Sequence, residues 1–461
     1  MSCGSRPRAL LLNPPIYDFA LYDLFLKPYG LLRVEGFLRN NGWDTVFVDA
    51  MDYRDPLSIA ALGRPRRKED GTGKMFRVPV PTPEGLASRG RRYSRYGVVP
   101  ESLARRLAEA AGGGEGRSPR PPDLVLVAGG MTYWYPGVVE AVHLSRKIFP
   151  RTPVVVGGVY AELMPEHCAR ATEADEVSAA DGRGGLAEIL PRLGFPAPTA
   201  DFPLNPSPEP AYWGDAAVLR LNRGCPLACD YCASRRLSPR FEAGDPEAAA
   251  AWVREAAEGG IGNFAFYDDA LLSGTGGVFP AFLERMIRLA EEGRGLRFYL
   301  PNAVHIRGLD RETAALMRKA GFQEIRMGFE SSSPDFHAAH SPGGAKFRPD
   351  SFPAVVAALT EAGFPREALS VYILAGLPGQ RAGEVETSVR KALAEGVRVR
   401  LAEYSPVPGT GLWEESIRRC RYPIGEEPLY HNNSFFPMEW EGFSREDLTR
   451  LKELARTGKH R

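Results

Sequence analysis

Short apolar runs alternate with amphipathic stretches along almost the whole chain, in two series divided by a proline-dense segment. In the first series the apolar runs occupy residues 8–13, 44–50, 123–130 and 153–158. Such alternation is typical of βαβ units, in which parallel strands are covered by helices on both faces. The pattern therefore predicts an α/β protein, and ligands of parallel sheets bind where the strands end.

The second series begins after residue 212 and has the same rhythm. Its apolar runs predict six strands, at residues 216–222, 263–269, 296–302, 324–330, 369–376 and 397–404. Five helical stretches separate them, one of which begins with Asp245 as N-cap and Pro246 at its first position. Six strands and five helices in this order predict a partial (βα)6 barrel of the TIM type.

At 461 residues the chain is too long for one hydrophobic core, so we expect several domains. The predicted organisation is a doubly wound, Rossmann-like domain over 1–195, a proline-rich linker over 196–212, a barrel over 213–412 and a short C-terminal tail over 413–461.

A basic insertion at about 56–122 interrupts the first domain. From Arg64 to Arg95 it carries ten Lys or Arg residues against three acidic residues; Tyr93 lies within this stretch and Tyr96 directly follows it. Such a segment could face a phosphate-bearing ligand or nucleic acid, although a solvated surface loop is the simpler explanation and the one we expect. The formal net charge of the whole chain is only +1, which makes a nucleic-acid partner unlikely as the main function.

No apolar run approaches the roughly 18 residues that a membrane-spanning helix needs, and the N-terminus has no stretch typical of a signal peptide. We therefore expect a cytoplasmic protein with reduced thiols. Cys3, Cys168 and Cys420 are scattered and are predicted to be free.

The other three cysteines, Cys225, Cys229 and Cys232, fall within eight residues in the spacing Cys-x3-Cys-x2-Cys. Structural zinc prefers four protein ligands, and the next Cys or His in the chain is the distant His305. A disulfide would leave one thiol over. An iron–sulfur cluster held by three thiolates instead leaves one iron open to another molecule, and the loop follows the first barrel strand, where barrel chemistry is placed.

This motif after the first strand of a (βα)6 barrel resembles the radical S-adenosylmethionine (radical SAM) superfamily. The resemblance implies a [4Fe–4S] cluster on Cys225, Cys229 and Cys232, whose open iron binds the amino and carboxylate groups of S-adenosylmethionine. It also implies reductive cleavage of S-adenosylmethionine to methionine and a 5′-deoxyadenosyl radical, which abstracts hydrogen from a substrate.

Further strand ends match the family one by one. Tyr231 matches the aromatic residue beside adenine, and Glu330 matches the acidic residue that contacts the ribose. The stretch Tyr267, Asp268 and Asp269 matches the segment that contacts the amino group of S-adenosylmethionine, although the family sequence at this place is Gly-Gly-Glu. Gly376 resembles the strand-five segment that packs on adenine.

The first domain resembles the cobalamin-binding domain that precedes this barrel in one large subgroup. The resemblance carries tentative cobalamin contacts at the strand ends, namely Asn13, Asp49, Gly130, Thr132, Gly157 and Gly158. Family members with a lower axial histidine carry Asp-x-His-x-x-Gly after strand one, whereas this chain reads NPPIYDFALYD and has no histidine there. Either cobalamin is bound without a protein histidine ligand, or the domain has lost the cofactor and serves as a lid.

The sequence thus predicts a radical SAM enzyme acting on an unidentified small-molecule or peptide substrate, with an electron donor such as flavodoxin or ferredoxin. Cobalamin-dependent methyl transfer is one reaction; cyclisation or rearrangement with a degenerate cobalamin domain is another. A non-enzymatic iron–sulfur protein would leave Asp268, Asp269 and Glu330 without a role. His305, after strand three, is either a substrate contact or an ordinary loop histidine.

Overall fold

The computed structural model describes residues 6–89, 91–112, 120–179, 185–273, 277–341 and 349–458, and Cys3 lies outside them. The chain divides into two compact units. Unit 1 comprises Met1–Ser207 together with Glu426–Tyr430, and unit 2 comprises Pro208–Gly425 together with His431–Arg461.

Unit 1 is built around a parallel sheet of five strands. The strands of the unit are β1 (Arg8–Asn13), β2 (Ile16–Asp18), β3 (Asp44–Asp49), β4 (Arg77–Pro79), β5 (Ser94–Tyr96), β6 (Leu124–Gly129), β7 (Val154–Gly158) and β8 (Glu176–Val177). The helices are α1 (Tyr29–Asn40), α2 (Pro56–Leu62), α3 (Pro100–Ala111), α4 (Tyr135–Ile148), α5 (Val159–Leu163), α6 (Pro165–Thr172) and α7 (Gly185–Arg192).

The order of this sheet is β3-β1-β6-β7-β8, and all its pairings are parallel. One face of the sheet packs on α1 and α7 in a core that includes Leu11, Leu126, Phe37 and Ile189. Because the strand order reverses between β1 and β6, the switch point where doubly wound folds bind ligands lies at the carboxyl ends of these two strands.

The insertion forms ordered structure, which corrects the simpler expectation of a solvated loop. Strands β2, β5 and β4 pair into a small antiparallel sheet. Its Tyr96 joins Met75, Met51 and Ile16 in a buried apolar cluster. Several basic residues of the insertion therefore act within the fold: Arg95 is 3% exposed and binds Glu140 at 2.7 Å.

The proline-rich segment before unit 2 packs on helix α1. Phe202 stacks on Phe37 with 4.0 Å between ring centroids. The Asn41 side-chain oxygen accepts hydrogen bonds from the amides of Thr199 and Ala200. This part of the predicted linker is therefore held by the first unit through specific contacts.

Unit 2 carries the second series of strands and helices. Its strands are β9 (Ala217–Leu219), β10 (Asn222–Arg223), β11 (Glu242–Ala243), β12 (Asn263–Phe266), β13 (Arg297–Tyr299), β14 (Val304–His305), β15 (Ile325–Glu330), β16 (Leu369–Ala375) and β17 (Arg398–Glu403). Its helices are α8 (Pro210–Trp213), α9 (Ser234–Leu237), α10 (Pro246–Glu258), α11 (Val278–Glu291), α12 (Arg311–Ala320), α13 (Pro334–His340), α14 (Phe352–Glu361), α15 (Ala382–Ala394), α16 (Trp413–Arg419) and α17 (Arg445–Thr457).

The barrel strands form two parallel sheets, β13-β12-β9 and β14-β15-β16-β17. Each of the six predicted runs contains a strand, and β14 is an additional short strand that pairs with β15. The predicted α/β class, with a doubly wound domain before a partial barrel, is thereby confirmed.

Local sequence signals explain where several barrel helices begin. Asp245 accepts a hydrogen bond from the Glu247 amide at the start of α10, and Asp310 accepts one from Thr313 at the start of α12. These side chains satisfy amide groups that the first helical turn leaves unpaired. In the described part of the chain, no helix is both long enough and apolar enough to cross a membrane.

Candidate functional site

The cysteine loop leaves the barrel directly after β9 and β10. Gly224 has a φ of 71°, and a Cβ at this position would lie 2.4 Å from the carbonyl oxygen of Arg240. A side chain is therefore excluded both by the left-handed backbone and by the backbone carbonyl group of Arg240. The turn at Gly224 takes the chain from β10 into Cys225.

Two of the cysteines have serine hydroxyls beside their sulfur atoms. Cys229 is only 8% exposed, and its Sγ lies 3.3 Å from Ser341 Oγ. Cys232 is exposed, with Sγ 3.3 Å from Ser234 Oγ. A thiolate is an acceptor only, so the Ser341 hydroxyl can donate to a deprotonated Cys229. The Ser234 hydroxyl donates to Asp269, and the group of Ser234 that can donate to a deprotonated Cys232 is its backbone amide, whose nitrogen lies 3.5 Å from the sulfur.

Among the described residues, no group of three or more His, Cys, Asp or Glu side chains is arranged to hold a single metal ion. The thiolates of a cubane bind different irons and need not converge on one point, so this finding concerns single-ion sites and does not test a cluster. The assignment of a cluster to Cys225, Cys229 and Cys232 therefore stays a prediction.

Asp230 fixes the middle of the cysteine loop to two other segments. Its amide donates to the His340 carbonyl oxygen at 3.2 Å, and its carboxylate lies 3.0 Å from His340 Nδ1. Its own carbonyl oxygen accepts from the Leu412 amide at 3.0 Å. The loop is therefore held by the C-terminal end of α13 and by the segment that precedes α16.

The two aspartates after β12 have different environments. Asp268 is 3% exposed and accepts hydrogen bonds from the amides of Leu221 and Asn222. Burial raises its pKa to about 7, although these hydrogen bonds favour the charged form. Asp269 instead accepts from Ser234 Oγ at 3.1 Å, and its other carboxylate oxygen lies 3.9 Å from Arg220.

Ser234 thus connects Asp269 with Cys232. Tyr267 donates its amide to the Leu219 carbonyl oxygen at 2.8 Å, which continues the pairing between β12 and β9. Of the three residues predicted to meet S-adenosylmethionine here, Asp269 is the one whose carboxylate is linked to the cysteine loop.

Glu330 stands at the end of β15 in an unusual backbone conformation. Its φ is 60°, and the pairing of β15 with β16 shifts between Gly328 and Glu330. The side chain is nevertheless 8% exposed. A bulky residue in the left-handed region costs free energy, and such outliers concentrate at functional sites.

Gly376 follows β16 in a segment that Gln380 organises. The Gln380 side-chain oxygen accepts hydrogen bonds from the amides of Gly376 and Leu377. Gly376 has a φ of 90°, and a Cβ there would lie 2.6 Å from the ring of Phe436. Phe436 belongs to the 430–437 segment that follows the last barrel strand, so this segment reaches the end of β16.

Tyr231 packs in an apolar cluster rather than projecting into solvent. The cluster contains Phe336, Leu377, Tyr404 and Leu412. Cys420 is packed against the same cluster, and burial raises the pKa of its thiol. Cys168 of unit 1 is fully buried, and burial raises its thiol pKa to about 12, which leaves it unreactive.

The residues predicted to contact cobalamin lie at the carboxyl edge of the sheet in unit 1. Asn13 donates to Asp49 at 2.7 Å across the ends of β1 and β3, and burial raises the pKa of Asp49. The ends of β6 and β7 are more open, because Gly158 is exposed and Met131 is 48% exposed. Thr132 is buried in the turn that follows.

Glycines at the ends of β6 and β7 allow the backbone to lie close to neighbouring groups. A Cβ on Gly130 would lie 2.9 Å from the Trp134 ring, and one on Gly158 would lie 2.4 Å from the Gly129 carbonyl oxygen. The nearest contact of a Cβ on Gly157 would be 3.5 Å away. A ligand would therefore meet bare backbone at β6 and β7, whereas at β1 and β3 the side chains bind each other.

A cavity of about 840 Å³ lies elsewhere, at the start of β17 rather than at its carboxyl end. Arg398 and Arg400 line it, together with Arg390 and Arg456. The last two pair with glutamates, Glu386 and Glu453. This cavity contains none of the residues that the sequence analysis assigned to the site.

The sequence analysis missed the residues that contact the cysteine loop from other elements. Ser341 is 112 positions from Cys229, and His340 is 110 positions from Asp230. Nothing in their local sequence distinguishes them from ordinary polar residues. Ser234 differs from them in lying only two residues after Cys232, so its closeness to the cysteine motif could have identified it from the sequence. His305 lies 3.3 Å from Ser273 Oγ, an ordinary polar contact.

Comparisons with known proteins found a matching family profile and similar folds. A family profile described as the Radical SAM superfamily matches residues 219–392. The fold is similar to that of the radical S-adenosylmethionine methyltransferase TsrM from Kitasatospora setae, solved with a tryptophan substrate and a S-adenosylmethionine analogue bound. That match has a TM-score of 0.65 at 17% identity and covers 97% of this chain and 89% of TsrM.

A second structure of TsrM, with cobalamin and a [4Fe–4S] cluster bound, matches with a TM-score of 0.63 at 16% identity, covering 92% of this chain and 82% of that one. The cobalamin-dependent S-adenosylmethionine radical enzyme OxsB matches with a TM-score of 0.54 at 11% identity, covering 98% of this chain and 61% of OxsB. The search of curated proteins found no match.

Proposed function

Since this chain is a member of the radical SAM superfamily through residues 219–392, we propose that Cys225, Cys229 and Cys232 hold a [4Fe–4S] cluster that binds and cleaves S-adenosylmethionine. The match to this superfamily supports an enzyme that uses a [4Fe–4S] cluster and S-adenosylmethionine. The assignment to particular residues, the reaction and the substrate are our proposal.

The observation that carries the proposal is the position of Ser234, whose hydroxyl donates to Asp269 and whose amide nitrogen lies 3.5 Å from Cys232 Sγ. It brings the cysteine loop after β9 together with the carboxylate after β12. An ammonium group held near the cluster's open iron would therefore meet a carboxylate that is fixed in place. Charge-assisted hydrogen bonds of this kind are the strong ones.

Each remaining strand end has a separate role. Glu330 would accept hydrogen bonds from ribose hydroxyls, because its carboxylate is buried and the β15 bulge holds its backbone. Gly376 would lie beside adenine, with Gln380 fixing the backbone amides of the segment. Tyr231 would support the adenine side of the loop by packing on Leu377 and Leu412. Asp268 would maintain the turn that begins the cysteine loop.

When bound and reduced, the cluster supplies the electron that cleaves S-adenosylmethionine. The protein's own contribution is to bind and orient the sulfonium compound and to exclude water from Cys229. Asp230 and His340 keep the loop in one position while this takes place.

The test is anaerobic reconstitution with iron and sulfide, followed by reduction in the presence of S-adenosylmethionine. The wild-type protein should show cluster absorbance and form 5′-deoxyadenosine or another S-adenosylmethionine cleavage product. Cys225→Ala, Cys229→Ala and Cys232→Ala should each lose both signals, whereas Cys420→Ala serves as a matched control and should keep them. A non-enzymatic electron carrier would show the absorbance without cleavage, and cleavage by any of the three motif variants would refute the assignment.

We further propose that unit 1 binds cobalamin at the ends of β6 and β7 and that the enzyme transfers a methyl group. Gly130, Gly157 and Gly158 would hold the cofactor through their backbone, since Asn13 and Asp49 bind each other. No histidine occurs between Asn13 and Asp23, so the family's histidine ligand has no counterpart there. When bound, cobalamin would supply a methyl carrier. The likeness of the whole fold to TsrM and OxsB supports this proposal.

Two measurements test the cobalamin proposal, and the first of them is independent of turnover. Equilibrium dialysis with hydroxocobalamin should give one bound cofactor per chain, and Gly158→Leu should abolish this binding. Methyl-labelled S-adenosylmethionine should then transfer label to a substrate only when cobalamin is present. Cleavage without any cobalamin binding would instead favour a cyclisation or rearrangement enzyme whose first domain is degenerate.

The substrate class and the physiological partners are proposed from the chemistry of the site. A small molecule or a peptide is consistent with a barrel mouth, and a low-potential donor such as flavodoxin or ferredoxin would reduce the cluster. A reduced, cytoplasmic compartment suits the free thiols Cys168 and Cys420. Assay of cleavage with each purified donor would identify which one transfers electrons.

A further inference from the structure

The C-terminal end of helix α13 contacts the cysteine loop at two successive residues. Ser341 Oγ lies 3.3 Å from Cys229 Sγ. The preceding residue, His340, accepts the Asp230 amide with its carbonyl oxygen and places Nδ1 3.0 Å from the Asp230 carboxylate. Two adjacent residues of one element thus bind two adjacent residues of the loop.

These contacts lie in a packed environment. Cys229 is 8% exposed and Ser341 is 5% exposed. The His340 ring lies 4.6 Å from that of Phe336, which belongs to the apolar cluster around Tyr231. A hydrogen bond is electrostatically stronger where water is excluded, so the contact between Ser341 and Cys229 has more effect here than it would at the surface.

Helix α13 also begins directly after the Glu330 segment. Ser333 caps it by accepting a hydrogen bond from the Phe336 amide, and His337 Nε2 lies 2.8 Å from the Ser331 carbonyl oxygen. The Ser332 amide donates to Ser388 Oγ. The start of α13 is therefore fixed by its own hydrogen bonds, and its end carries the two loop contacts.

We infer that Ser341 is a positioning residue that donates its hydroxyl hydrogen to the Cys229 thiolate and thereby raises the reduction potential of the cluster. This inference rests on the proposed function, because it requires a cluster on Cys229. Reduction adds negative charge to the cluster and its ligands, and a hydrogen bond to a ligand sulfur stabilises that charge. Loss of the donor makes the cluster harder to reduce.

Three variants separate this effect from a general disturbance of α13. Ser341→Ala removes the donor, and Ser341→Thr restores a hydroxyl at the same position. Ser333→Ala weakens the cap of the same helix without touching the sulfur, and it is the matched control. Each reconstituted protein is assayed for iron and sulfide content and for its midpoint potential by redox titration followed by electron paramagnetic resonance.

We expect Ser341→Ala to keep its cluster and to lower the equilibrium constant for one-electron reduction about tenfold, which corresponds to about 59 mV. Ser341→Thr and Ser333→Ala should remain close to the wild type. If Ser341→Ala loses iron while the other two variants retain it, the hydroxyl is needed to assemble the cluster, and the inference that it sets the reduction potential is overturned. An unchanged potential in a fully loaded Ser341→Ala, or equal iron loss in all three variants, overturns it.

The wild-type measurement distinguishes this failure from failure of the proposed function. If the wild-type protein assembles no four-iron cluster, the proposed function is wrong and this inference falls with it. If the wild type assembles one and the potential of Ser341→Ala matches it, only the role of Ser341 is refuted.

Discussion

Asp268 accepts the backbone amide of Asn222 at 2.6 Å, and the Leu221 amide at 3.0 Å, so one carboxylate holds the chain just before the cysteine loop begins. Its neighbour Asp269 faces Ser234 instead. The pair after β12 is thus divided between maintaining the backbone and facing the loop. This division predicts that the two amide variants affect different properties. Asp268→Asn should alter the free energy of unfolding and its pH dependence, whereas Asp269→Asn should mainly weaken S-adenosylmethionine binding.

The pH dependence of Asp268 has a definite sign. Burial raises its pKa to about 7, so between about pH 4 and 7 the folded protein retains a proton that the unfolded chain has released. The free energy of unfolding therefore decreases as pH rises through this window, by at most about 1.4 kcal/mol per pH unit, and levels off above it. Urea denaturation of the metal-free protein at pH 5, 6, 7 and 8 measures this slope.

Asp268→Asn removes the titrating group and should flatten that slope. Asp245→Asn is the matched control, because it makes the same change at the exposed cap of α10, where asparagine also caps well. If Asp268→Asn and Asp245→Asn show the same dependence of the free energy of unfolding on pH, the assignment of the slope to Asp268 is wrong.

Glu330 provides a test of backbone strain at the proposed ribose contact. Glu330→Ala and Glu330→Gly both remove the carboxylate, so each should weaken S-adenosylmethionine binding by roughly 1–3 kcal/mol. Only glycine relieves the positive φ of 60°. We therefore expect Glu330→Gly to be more stable than Glu330→Ala by about 1 kcal/mol.

Calorimetric titration with S-adenosylmethionine and thermal unfolding measure the two properties of the Glu330 variants separately. Unchanged affinity in both variants would remove Glu330 from the site. Greater stability of the alanine variant would show that the conformation at this position is not strained.

Much of the fold follows from local patterns, and the cysteine spacing identifies the loop. The barrel strands, the cap at Asp310 and the turn at Gly224 each depend on residues close together in the chain. The contacts of Ser341 and His340 with the loop join residues more than 100 positions apart, and no sequence period encodes them. The three-residue strands of the insertion are likewise too short to leave a pattern.

The site illustrates the same limit. The strand-end position of Glu330 could be predicted, but the bulge that gives it a positive φ could not, because a bulge depends on the register between two strands. Similarly, the sequence Tyr267, Asp268 and Asp269 indicates a polar strand end without indicating which carboxylate is buried. Distances between elements decide such questions.

Gly376 and Phe436 test the role of the 430–437 segment. A Cβ on Gly376 would lie 2.6 Å from the Phe436 ring, and its φ of 90° is unfavourable for alanine. Gly376→Ala should therefore lower the free energy of unfolding by about 1–3 kcal/mol and weaken S-adenosylmethionine binding. Gly383→Ala, in α15 with open space around it, should not reduce stability.

The double variant Gly376→Ala with Phe436→Ala isolates the contact between these two residues. If the ring causes the clash, the second substitution should cost less stability in the Gly376→Ala background than in the wild type. Additive effects in this cycle would show that only the backbone conformation of Gly376 matters.

Arg95 tests whether the basic residues of the insertion serve the fold or a ligand. Its guanidinium donates to both carboxylate oxygens of Glu140 and to the Val98 carbonyl oxygen, and the side chain is almost fully buried. Arg95→Ala would leave Glu140 beside Tyr17 without its partner, so the free energy of unfolding should fall by about 3–5 kcal/mol. Arg91→Ala, an exposed change in the same segment, should alter stability by less than about 0.5 kcal/mol. Chemical denaturation of both variants gives these values directly.

Heparin chromatography of the folded variants tests the alternative role of the insertion. If its basic residues serve the fold, each variant should lose only the retention that the loss of one positive charge implies. A marked loss of retention in Arg91→Ala would instead indicate that the exposed part of the insertion binds a polyanion.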